Sequence, residues 1–92
     1  MKRYLTRGVS NLIPLPVQLY LWLLYDQLSK GERDWLQIFR ITPEESHLNI
    51  SHEQEVPEYK RVHQIYGVPS FSKKVYIIDD GDHETMLLAD EY

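Results

Sequence analysis

The chain contains no cysteine, so neither disulfide staples nor cysteine-based zinc sites can hold it together. It has four glycines, none arranged as a phosphate-binding loop, and no serine in a G-x-S-x-G elbow. Before the prolines at 14 and 16 there is no apolar stretch of signal-peptide type. The helix that follows is too aromatic, and lacks the small-residue site, to replace one. No run of about 20 apolar residues exists, which argues against a membrane span. These absences fit a cytoplasmic protein that uses no cofactor and no metal. Basic charge is scarce towards the end: residues 79–92 hold six carboxylates and no lysine or arginine. Residues 1–40 carry six Lys/Arg against three Asp/Glu, a net +3, and residues 41–92 carry four against eleven, a net −7. The acidic balance argues against general nucleic-acid binding, because phosphates need cations.

What is present is one long helical pattern. Residues 16–31, PVQLYLWLLYDQLSKG, open after two prolines and close on Lys30 and Gly31, a start and stop that match helix capping. A 3.6-residue period puts Val17, Tyr20, Leu21, Leu24 and Leu28 on a core face. The opposite face holds Gln18, Asp26 and Ser29, but also Trp22, with Tyr25 at one border and Leu19 and Leu23 at the other. This second apolar stripe is either covered within the chain or offered to a partner, for which tryptophan is a favoured anchor.

Around that helix the pattern is of strands. Residues 3–9 read as a first strand, closed by Gly8, with Ser10 and Asn11 turning the chain. Residues 35–42 are apolar on both faces, as in a central strand, and Pro43 stops it. Residues 47–54 alternate, with Leu48, Ile50 and His52 on one side. Residues 57–66 fit either a helix opened by Pro57 or a strand with Tyr59, Arg61, His63 and Ile65 on one face. Residues 74–79 and 84–88 make a hairpin about Asp80-Gly81, a signal for a type I′ turn. Ninety-two residues make a single domain, 1–92. The expected fold is α+β: one mainly antiparallel sheet of five to six strands, one long helix on one face, order β-α-β-β-β-β-β.

No constellation carries a catalytic signature. Asp79, Asp80, Asp82, His83 and Glu84 are the densest group of possible hard-cation ligands, but they lack the spacing of a calcium loop, and a solvated hairpin tip is the simpler reading. His47, His52, His63 and His83 have no metal-protease spacing. His52 and His63 are the available general bases, and as cross-strand neighbours they read more simply as an exposed polar pair. Lys2, Arg3 and Arg7, joined by Lys60, Arg61, Lys73 and Lys74, would form a small basic surface.

Three segments, RYLTRGVSNLIP, LWLLYDQL and KVYIIDDGDHETMLLADEY, resemble a small family known as domain of unknown function 960. Its pattern falls here on Arg3, Tyr4, Gly8, Pro14, Phe39, Ser51, His52, Glu53, Glu84, Thr85 and Leu88. The middle segment departs from the family's Ser-x-Gln-Glu by reading Ser-His-Glu with Gln54 after it. The resemblance implies a short protein of the Firmicutes, in some cases carried on a mobile element, and a strand at residues 57–66. It implies no activity. The reading is therefore a non-enzymatic interaction or regulatory protein, engaging a protein partner or itself as a homodimer, and no membrane. The partner-binding candidates are Leu19, Trp22, Tyr25, Asp79, Asp80, Asp82 and Glu84. The alternatives are an acidic regulator imitating nucleic acid towards a host protein, and a weak nucleic-acid binder through the basic N-terminus.

Overall fold

A computed structural model describes residues 2–92. Six strands form one sheet: β1 (Lys2–Leu5), β2 (Leu36–Pro43), β3 (Leu48–Gln54), β4 (Tyr59–Ile65), β5 (Lys73–Asp79) and β6 (His83–Leu88). Two helices, α1 (Arg7–Leu12) and α2 (Leu15–Gln27), lie between β1 and β2, and a 3-10 turn (Ala89–Glu91) follows β6. The spatial order is β1-β6-β5-β2-β3-β4. Every pairing is antiparallel except β1 with β6, which run parallel, Arg3 beside Glu84 and Leu5 beside Met86. The expected class is thus the observed one, with a sheet that is mixed and helical structure that is divided in two.

Local chemistry accounts for the division. Thr6 caps α1, its hydroxyl accepting from the Val9 amide at 3.3 Å. Pro14 forbids helical geometry at the residue before it, and Ile13 is extended. α2 then starts with Pro16 in its first turn, where the missing N–H costs nothing. The expected first strand, residues 3–9, is cut short because Gly8 belongs to α1, as do Ser10 and Asn11. A Cβ at Gly8 would meet the Glu91 carboxylate at 2.6 Å. That carboxylate accepts from the Thr6 hydroxyl (2.6 Å), the Gly8 amide (3.2 Å) and the Leu88 amide (2.8 Å), tying α1 to the closing turn.

α2 also ends earlier than expected. Leu28 is already extended, and among the described residues positive φ is confined to Gly67 and Gly81, so Gly31 is no left-handed cap. The Leu28 amide closes the last turn on the Tyr25 carbonyl at 3.3 Å, and Arg33 Nη1 donates to the same oxygen at 3.3 Å.

The core lies between one face of the sheet and the two helices. Phe39 and Ile41 from β2, Leu48 and Ile50 from β3, Val75 and Ile77 from β5, and Met86 and Leu88 from β6 meet Val9, Ile13, Val17, Leu21, Leu24 and Tyr25. Tyr20 and Leu28, expected on the core face of the helix, are half-buried. β2 is central, as expected, yet only one of its faces is covered: Leu36 and Ile38, with Tyr76 and Ile78 of β5, sit half-buried on the side away from the helices. Residues 59–65 are a strand, whose Tyr59, Arg61, His63 and Ile65 share the helix side with Gln54, His52, Ile50 and Leu48 of β3.

Candidate functional site

The outer face of α2 is the most apolar exposed surface of a helix in the molecule. Leu15, Leu19 and Leu23 recur every four residues and form one ridge. They are 62%, 61% and 53% exposed, and Leu12 at the end of α1, 52% exposed, adds a fourth leucine. From Leu15 to Tyr25 the helix carries no charge. Trp22 borders this ridge and is half-buried, because the Arg3 guanidinium lies 4.5 Å over its ring and the Tyr25 ring meets it edge-on at 5.7 Å. Tyr25 itself is 0% exposed, a correction to its place on the expected stripe: it faces β6.

Below Trp22 lies a cluster of charges that the sequence pattern does not announce. Glu84 sits on the helix side of β6, 4% exposed, so it is no part of the solvated hairpin tip. Its Oε1 accepts from Arg3 Nε at 2.9 Å and its Oε2 from the Tyr25 hydroxyl at 2.7 Å. Arg3 also grips Asp26 through both terminal nitrogens. Those bonds to Asp26 raise the Arg3 pKa against the opposing effect of burial, and the bonds to Glu84 add to the rise. Burial, then the bond to Glu84, raises the Tyr25 phenol above its ordinary range. Arg33 stacks on the Tyr25 ring at 4.1 Å, with its Nη2 3.7 Å from Glu84 Oε2 and its Nη1 3.7 Å from Asp26 Oδ1. A cleft of 410 Å³ opens here, lined by Arg3, Lys30, Arg33 and Glu84. Arg3 and Glu84 both lie in segments that carry the family resemblance; Arg33 and Lys30 do not, and the sequence marks Lys30 only as a helix stop and Arg33 not at all.

The acidic hairpin spends the carboxylates of Asp79 and Asp80 on its own turn. Asp79 Oδ1 accepts from the Gly81 amide (2.9 Å), and Asp80 Oδ1 accepts from the amides of Asp82 (3.2 Å) and His83 (3.1 Å). His83 Nε2 lies 2.9 Å from Asp80 Oδ2. Asp80 and Asp82 are exposed and Asp79 is half-buried. Of the two central residues of the turn, Gly81 and Asp82, Gly81 has positive φ, as a type II′ turn requires, and Asp82 lacks the positive φ that type I′ would need. No group of three or more metal-ligating side chains occurs among the described residues.

The remaining candidates are dispersed. His52 lies opposite Arg61 and diagonal to His63, and it is buried rather than an exposed pair with it. Its Nε2 is 2.7 Å from Gln37 Oε1. Burial and the nearby His63 push its pKa down to about 4. Burial and Arg61 also lower His63. The basic residues do not converge: Lys2 and Arg3 are on β1 at one edge of the sheet, Lys60 and Arg61 on β4 at the other, and Lys73 and Lys74 on β5 between them.

This arrangement defines the class: a small α+β protein with a six-stranded mixed sheet, two helices on one face and an ion-pair cluster where β1, α2 and β6 meet. The chain belongs to the family described as "Staphylococcal protein of unknown function (DUF960)", which it matches over residues 2–91. That source agrees with the expected Firmicutes setting. Among solved structures it is similar to one described as the crystal structure of the protein of unknown function from Enterococcus faecalis. The TM-score is 0.85 at 23% identity, covering 99% of this chain and 90% of that one, a likeness of fold. No curated protein matches the chain. Among the described residues no helix is long and apolar enough to cross a membrane.

Proposed function

We propose that the protein is a non-enzymatic cytoplasmic interaction module whose docking face is the outer ridge of α2, and that the occupant is a second copy of the chain. The observation that carries this is the row Leu15, Leu19 and Leu23, each more than half exposed on a helix that carries no charge before Asp26. Leucine left in water forfeits about 25 cal/mol for every Å² that burial would remove. A ridge of residues four apart fits the groove beside an identical ridge, so the surface is its own complement about a two-fold axis. Asp26 lies at one end of the ridge. An antiparallel copy therefore brings no like charges together at the centre and sets the two helix dipoles head to tail.

A helix of 13 residues is about 20 Å long. Contact over that length stays below the roughly 800 Å² per partner of a standard stable interface, so self-association in the micromolar range is expected. The non-enzymatic reading is supported by the burial of His52 and by the engagement of the acidic side chains in turns and ion pairs. The spread of the basic residues gives the nucleic-acid alternative no continuous basic surface, and the exposed Asp80 and Asp82 are what the acidic-mimic alternative would use.

Sedimentation equilibrium across micromolar to millimolar protein tests this. Wild type should approach twice the monomer mass, and Leu19→Asp should stay monomeric with an unchanged circular dichroism spectrum, because Leu19 is exposed. A wild type that stays monomeric throughout, or a Leu19→Asp variant that still dimerises, would overturn the proposal.

A further inference from the structure

Independently of the α2 ridge, we propose that the cleft lined by Arg3, Lys30, Arg33 and Glu84 binds a small multivalent oxyanion of the phosphate class. The argument is a count of donors against acceptors. A guanidinium offers five N–H donors. Among the described residues Arg33 makes one hydrogen bond, from Nη1 to the Tyr25 carbonyl at 3.3 Å. Its Nη2 stands 3.7 Å from Glu84 Oε2, beyond hydrogen-bond reach, and its Nε is buried with no partner. Its side chain is nevertheless only 11% exposed, so solvent does little to satisfy it.

The carboxylates nearby are already engaged. Glu84 accepts from Arg3 and from Tyr25, and Asp26 receives both terminal nitrogens of Arg3. Lys30 stands exposed at the cleft and enters no ion pair among the described residues. Asp79, opposite Glu84 on β5, accepts from the Gly81 amide, so among the described residues no carboxylate oxygen stands within hydrogen-bond reach of Lys30 or Arg33, and the shortfall at these two cations is in acceptors that carry negative charge. An oxyanion supplies both. Arginine suits it because its planar fork matches paired oxygens. A tetrahedral ion also presents oxygens towards Lys30 and Arg33 at once, which a flat monocarboxylate does less well. The cleft volume of 410 Å³ is within the range of small-molecule sites.

The test is a titration of the intact protein with sodium phosphate against sodium chloride at matched ionic strength. The Arg33 Nε–H resonance is followed by NMR and the thermal midpoint in parallel. Phosphate should move that resonance saturably and raise the midpoint, since a ligand of the folded state stabilises it. Lys30→Gln removes an exposed cation without touching the buried network, and should weaken binding about fivefold with the fold intact. A parallel titration with glycerol phosphate separates two sources: tighter binding than inorganic phosphate assigns an ester of a larger molecule, and weaker binding assigns the free ion. An equal response to chloride, no saturable movement, or an unchanged affinity in Lys30→Gln would each overturn the proposal.

Discussion

Lowering the pH from 6.5 to 4 charges His52 in the unfolded chain but not in the fold, and the protein should lose stability across that window. The side chain amides around His52 fix its state. Gln37 Nε2 donates to the Asp34 carbonyl (3.0 Å) and to Gln54 Oε1 (2.6 Å), while Gln54 Nε2 donates to the Glu32 (3.0 Å) and Pro57 (2.7 Å) carbonyls. Gln37 Oε1 therefore faces His52 as an acceptor, and His52 must carry its proton on Nε2. Nδ1 is buried without a partner, and the ring stacks on Phe39 at 4.4 Å. A second proton would go to Nδ1, buried and without an acceptor, with Arg61 opposite on β4 and His63 diagonal to it. The folded pKa of about 4 lies below the ordinary 6.5, so between these values the unfolded chain binds more protons than the fold. Stability is fully present above 6.5, falls as pH drops and levels off below 4. At 1.36 kcal/mol per pH unit over that interval, the loss is about 3 kcal/mol, a large share of the ~5–10 kcal/mol expected of a domain this size. His63, lowered in the same direction, adds to the slope. Urea midpoints measured from pH 8 to pH 4 read it directly, and long-range proton–nitrogen NMR should show the Nε2–H tautomer of His52 at pH 5.5. His52→Leu leaves Gln37 Oε1 without a donor, at about 1–3 kcal/mol at neutral pH, yet should flatten the slope. Equal midpoints at pH 7 and pH 5, an unchanged slope in His52→Leu, or the Nδ1–H tautomer would refute the reasoning.

Two further outcomes follow from the geometry. Glu84→Gln leaves two guanidinium groups without their shared buried carboxylate and should cost about 2–4 kcal/mol in urea unfolding; a change within about 0.5 kcal/mol would mean the cluster does not hold β1 to β6. Gly81→Ala, at φ 96°, should cost about 1–2 kcal/mol, whereas Gly31→Ala, with no positive φ and nothing within 4 Å, should stay within about 0.5 kcal/mol, and equal losses at the two sites would restore Gly31 as a strained cap.

The strands of the second half were legible because alternation survives in them. Leu48, Ile50 and His52 point to the core, and Asp80-Gly81 marks a hairpin. The turn type was misjudged because the dipeptide signal does not say which residue takes positive φ. α1 was invisible: a six-residue helix containing glycine has too few turns to show a period, and Gly8 is there to admit a carboxylate 83 residues away. Lys30 and Gly31 imitate a cap, while α2 ends at an extended Leu28 whose amide closes on the Tyr25 carbonyl. Leu19 and Trp22 do lie on the outer side of the helix, but helical spacing could not tell that Tyr25 turns inward to Glu84. Pairings between distant segments leave no periodic trace, so the charge cluster of Arg3, Tyr25, Arg33 and Glu84 emerges only from the fold.

The parallel pairing of β1 with β6 has a kinetic consequence. β2, β3 and β4 join through short connections, and β5 with β6 through a tight turn, so those contacts close small loops. Arg3 and Glu84 are 81 residues apart, and bringing them together carries a larger loop-closure entropy than any neighbouring-strand hairpin. β1 is thus placed to dock last on a sheet already formed, and Glu84→Gln should act mainly by quickening unfolding while leaving the folding rate nearly unchanged.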